Sequence, residues 1–137
     1  MDSADRQGAS GDEEEIMTLS VSTQAAPVGS KLIKETEATE TPDNDVTGAA
    51  GSLYQLDVDN SGNSDNAAYL KIYDDAAPVV GTSAPDFIFK VPVNQRRNLV
   101  IPDGWDFNNL SFACVTAGGT AGTTPPTNPV EVKMVTS

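Results

Sequence analysis

The sequence predicts an all-β protein: an antiparallel β-sandwich or jelly-roll-like domain with an extended N-terminal arm. Three observations predict it. Short segments with apolar residues at alternate positions recur between residues 53 and 135. Pro, Gly, Asp and Asn fill the intervals between them, which is turn chemistry. No segment is followed by a helical apolar period, and Pro, Gly and β-branched residues interrupt every stretch that would need one.

The elements follow in order. Residues 1–15 are Gly-, Ser- and acid-rich and end in Asp12-Glu13-Glu14-Glu15, with nothing to repay the entropy of ordering. Ile16–Ser22 alternates from Thr18 onward and predicts one short strand. Lys31–Thr36 predicts a weaker one, with only Leu32 and Ile33 to bury, and 35–52 reads as a linker or an arm lying across another surface. Beyond it Leu53–Val58, Ala68–Tyr73, Phe87–Val91, Asn98–Ile101, Leu110–Thr116 and Val130–Val135 predict six strands in about 85 residues, the pattern of a sandwich. Every Tyr, Phe and Trp lies after residue 50, so the core is expected around Tyr54, Tyr69, Tyr73, Phe87, Phe89, Trp105, Phe107 and Phe112. The competing reading, a largely disordered chain with one small sheet, is opposed by these aromatic-rich strands. The expected division is an arm over 1–50 and a sandwich domain over 51–137, within the 137 residues that suit one domain.

Charge narrows the partners. The 20 acidic and 8 basic residues give a net charge of −12, of which residues 1–50 carry 11 acids against 3 bases. Such a chain has no basic footprint for nucleic acid and none for anionic membrane. A basic protein surface or a divalent cation is what electrostatics allows. The single Cys114 permits no intrachain disulfide, no apolar run approaches the ~18 residues of a membrane span, and the acidic N-terminus is unlike a secretory signal. A soluble product made in the cytoplasm is expected.

Catalytic chemistry finds little to work with. The chain has no His, which removes His-based acid–base catalysis, His-containing triads and the commonest zinc ligand. Cys114, in the apolar run Leu110–Val115, reads as buried and inert. Asp57 and Asp59 share a strand face as a glycosidase pair does, but no groove of aromatic and polar residues accompanies them. Asp74-Asp75 and Asp103/Asp106 read as turn residues. The expectation is a protein that is not an enzyme.

The sharpest local motif is Asp57-Val58-Asp59-Asn60-Ser61-Gly62-Asn63-Ser64-Asp65. It opens like a calcium loop, with Asp57, Asp59, Ser61 and Asp65 offering side-chain oxygens, Asn63 a carbonyl and Gly62 the bend. Its twelfth position is Ala68 rather than Glu, and strands flank it. A weakly held Ca²⁺ is one reading; a hairpin loop whose side chains cap their own backbone is the other. Arg96-Arg97 is the one adjacent basic pair, expected at a hairpin tip, where it would meet an acidic surface such as Glu13, Glu14 and Glu15 of a second copy. Trp105, in the turn-rich stretch Pro102–Asn109, is expected either as an interface anchor or as a lid over the open end of the core. Gly118–Thr124 lacks the Lys of a phosphate loop, no helix follows it, and Pro125-Pro126 stiffens its exit.

Taken together, Tyr69–Asp74, Ala77–Asp86, Val91–Val93, Ile101–Gly104, Leu110–Phe112 and the closing Val130–Val135 strand resemble a module of small virion proteins of tailed bacteriophages. The resemblance covers roughly residues 53–137 through short, degenerate matches. It implies a β-sandwich or jelly-roll domain whose role is to join structural subunits. The implied function is capsid decoration: a homo-trimeric or homo-dimeric cement protein on the capsid surface of the virion, binding the major capsid protein or other virion structural proteins. A tail, neck or fibre component is the alternative, and a calcium-dependent carbohydrate-binding sandwich a further one.

Overall fold

In the computed structural model, which describes residues 18–23 and 29–137, the alternation in the sequence becomes two antiparallel sheets packed together. The strands are β1 (Leu19–Thr23), β2 (Lys31–Glu35), β3 (Gly51–Asp59), β4 (Ala68–Asp74), β5 (Phe87–Val91), β6 (Arg96–Phe107), β7 (Leu110–Val115) and β8 (Glu131–Thr136). One sheet has the order β1-β2-β8-β3-β6, the other β5-β4-β7. The larger sheet turns Ile33, Leu53, Leu56, Val58, Val132 and Met134 inward, and the smaller answers with Leu70, Ile72, Leu110, Phe112 and Cys114. Each large aliphatic or Phe side chain removed from water in this way contributes about 1.5–3 kcal/mol.

The core is more aliphatic than the sequence suggested. Phe107 and Phe112 are buried within it, while Phe87, Phe89 and Trp105 close its margin. Tyr54 and Tyr69 are only half-buried. Tyr73 is buried outside this cluster, on the outer side of the small sheet with Tyr69 and Lys71, because Leu70 and Ile72 take the inward positions of β4.

The expected boundary at residue 51 is not where the described residues divide. β2 is an interior strand, paired with β1 on one side and β8 on the other. The chain then crosses to the smaller sheet and runs along the free edge of β7. Cys114 N–H donates to Thr39 O at 2.8 Å, Asp43 and Phe112 exchange bonds of 2.9 and 3.1 Å, and Val46 N–H donates to Leu110 O at 2.8 Å. Residues 31–50 are part of the sandwich; their few large apolar residues conceal this because backbone bonds along β7, with only Ala38 and Val46 packed at the core, hold 38–46 in place.

β6 also departs from expectation. A short strand was expected at Asn98–Ile101, followed by turn-rich sequence. The strand instead runs from Arg96 to Phe107, and its register against β3 moves from Gln55↔Val100 to Leu53↔Trp105. Pro102, Asp103 and Gly104 are turn residues forming a bulge inside an edge strand, where a missing Pro N–H costs nothing. Gly104 sits at φ +80°, and a Cβ there would lie 2.8 Å from Tyr54 Cε1 and 3.0 Å from Ser52 Cβ.

Candidate interaction surfaces

The calcium-like loop forms one end of the sandwich, and its polar groups are already engaged within the protein. Asp57 accepts from Arg96, at 2.6 Å from Nη2 and 3.1 Å from Nε. Asp59 accepts from Ser61 N–H at 2.9 Å. The Ser61 hydrogen bonds, with help from Arg96 and Lys133, hold the Asp59 carboxyl below its usual range. Asp65 accepts from Thr127 Oγ1 at 2.9 Å. Ser61 is exposed, and Asn63 turns its side chain inward.

That inward turn builds the end of the molecule. Asn60, fully buried, donates from Nδ2 to Asn66 O, Val91 O and Pro92 O at 3.1, 3.3 and 3.1 Å. Its Oδ1 accepts from Asn63 Nδ2 at 2.9 Å, and Asn63 clasps Asn128 through a 3.0 Å bond to its carbonyl and a 2.7 Å bond from its N–H. Two asparagines thereby tie the β3–β4 loop to the β5–β6 turn and to the approach to β8. Among the described residues no group of three or more His, Cys, Asp and Glu is arranged to hold a metal ion.

The proposed interface residues separate. Glu13, Glu14 and Glu15 lie outside the described residues. Arg96 and Arg97 open β6 just after the turn at Asn94, which takes φ 58°. Arg96 is committed to Asp57, and Arg97 Nε donates to Gln95 Oε1 at 3.3 Å. Trp105 is on the strand rather than in a turn. Its ring meets Phe87 edge-on at 5.2 Å and Phe107 at 6.1 Å, so it closes the margin of the core.

Two features escaped the sequence. The outer face of the small sheet is covered: Lys71, fully buried, donates from Nζ to Thr120 O and Gly122 O at 3.2 and 2.8 Å, and Gly118 lies against the Tyr69 ring. Burial lowers the Lys71 pKa and raises that of Tyr73, whose buried hydroxyl has no protein partner. The second feature is Glu35, 2% exposed, on the same face of β2 as Ile33. Its neighbour Asp43 has its pKa raised to about 8 by burial and by the Glu35 carboxylate. Alternation with Ile33 was the available signal for an inward Glu35; nothing local pointed to Asp43. β1, the short strand expected from Thr18 onward, is a five-residue edge strand whose residues after Leu19 are all exposed.

Cys114 is buried in the core and its thiol is pushed up to about 12, where the nucleophilic thiolate is scarce. No protein-family model matches this chain, and neither the curated proteins nor the solved structures contain a match.

Proposed function

We propose that this protein is a non-enzymatic structural subunit of a virus particle, a jelly-roll module that binds neighbouring protein subunits and most closely fits a capsid decoration role. The observation that carries the reading is strand order. In the larger sheet β2, β8, β3 and β6 lie side by side, and in the smaller β7, β4 and β5 do. Segment 38–46 runs along β7 in the place of the missing eighth strand. Counting that segment as a strand, the order is the one expected of two interleaved Greek keys, which supports the jelly-roll reading.

A fold hosts many functions, so the site chemistry must also agree. Several chemically capable side chains are engaged in structure: Cys114 and Glu35 are buried, Asp57 is paired, and Lys71 is held by loop carbonyls. Exposed surface and strand edges are the material of subunit contacts. The test is cryo-electron microscopy of intact particles from the source. Density for this chain between capsid subunits supports the decoration role. Density confined to the tail moves the protein to the tail or fibre class, and absence from particles overturns the virion reading.

A further inference from the structure

β1 is the one strand outside the eight-membered arrangement. It extends the larger sheet beyond β2 and overhangs the core, leaving Val21 43% exposed although it shares the inward face with Leu19. The phase of its backbone is fixed by the bond from Thr36 N–H to Thr18 O at 3.1 Å. Residues of even number therefore direct their N–H and C=O groups at β2, and Leu19, Val21 and Thr23 direct theirs away from it. Among the described residues nothing pairs with that outer edge.

Other sheet edges are guarded in the usual ways. Segment 38–46 covers β7, β5 carries Lys90 between Pro85 and Pro92, and β6 has Arg96, Arg97, Pro102 and the Gly104 bulge. β1 has none of these devices. Its sequence Leu-Ser-Val-Ser-Thr contains no charge, Pro or Gly.

We infer that β1 is a self-association edge, pairing antiparallel with β1 of a second copy about a two-fold axis at Val21. Resting on the subunit-binding function proposed above, this names its partner as the same chain. The strand is complementary to itself in this register. Val21 faces Val21, Leu19 faces Thr23, Ser20 faces Ser22, and each outward N–H meets an outward C=O. The overhanging Val21 side chains meet on one face and bury each other. In a chain of net charge −12 an uncharged strand is where two copies approach with least repulsion. A five-residue strand pair is a small interface, which gives a weak dimer in solution and a strong one when a lattice presents many copies.

The test is sedimentation of the full chain together with amide exchange. A dimer forming with a Kd on the order of 10–100 µM is expected, with the Leu19, Val21 and Thr23 amides slowing as concentration rises while those of Ser20 and Ser22 hardly change. Val21→Pro removes an outward-facing N–H that the parent sheet does not use, with its fixed φ tolerated on an edge strand, and Val21→Lys sets like charges face to face. Both should sediment as monomers with melting temperatures close to the parent's. A chain that stays monomeric to several hundred micromolar overturns the inference, as does a dimer that survives both substitutions or leaves the odd-numbered amides unprotected. Particle imaging reads separately: monomers seated on a capsid would sink the pairing alone, and a dimer absent from particles would sink the virion function alone.

Discussion

Single side chains settle what the calcium-like loop is for. Asn60→Ala removes the buried donor to the Asn66, Val91 and Pro92 carbonyls and severs the link to Asn63, so a loss of about 1–3 kcal/mol is expected in urea unfolding. Asp57→Ala removes an ion pair whose arginine is largely exposed, and about 0–1 kcal/mol is expected. If the ranking were reversed, the loop would owe its shape to charge rather than to the asparagine clasp. Millimolar calcium is expected to leave the melting temperature unchanged, since Asp57, Asp59 and Asp65 already have protein partners. A rise of several degrees would mean that the loop rearranges around an ion. Asp43 gives a sharper signature. Its pKa rises from 3.8 to about 8 on folding, so between these values the native state keeps a proton that the unfolded chain has released. Its stabilising contribution is complete below 3.8 and is lost as pH rises toward 8. Asp59, with its pKa lowered, acts in the opposite sense and is lost only below the ordinary carboxylate range. The urea midpoint should therefore fall between pH 5 and pH 8, and Asp43→Asn should flatten that slope.

Elements divide into those set by local pattern and those set by their neighbours. β8 reads directly from its alternation, because one face of it meets the core, and β4 reads from a compact run of apolar and aromatic residues. β6 did not, because its Pro-Asp-Gly sequence is a turn signal in isolation and a bulge when β3 lies alongside. Gly104 is where that bulge is most exacting. Gly104→Ala combines a positive φ with a 2.8 Å approach to Tyr54, and a destabilisation of about 1–3 kcal/mol is expected from thermal or urea unfolding. A substitution costing less than a few tenths would show that β6 can relax its register there.

For the molecule as a whole, the question is where the cooperative unit begins. β2 bridges β1 and β8, Ile33 is in the core, and 38–46 seals the edge of β7. A fragment of residues 51–137 therefore exposes a β8 edge and the β7 edge together. It should show no cooperative unfolding transition by circular dichroism, and it should aggregate through those edges. A fragment that melts sharply near the temperature of the full chain would restore residue 51 as a boundary.

The sequence by itself determined the β class, most strand positions, the burial of Cys114 and the polar, turn-forming character of the loops. Each of these depends on residues a few positions apart, where alternation and turn propensity act directly. Tertiary structure alone decided the pairing of β2 with β8, the burial of Lys71 beneath residues 118–122 and the inward turn of Asn60 and Asn63. Those depend on groups separated by tens of residues, such as Lys71 and Thr120 or Asn63 and Asn128. Trp105 belongs to both: its aromatic bulk marked it as important, and only the packing of β6 against β3 with Phe87 nearby made it the margin of the core. A polar residue's fate depends on whether a partner waits in the fold, and local sequence carries no record of the partner.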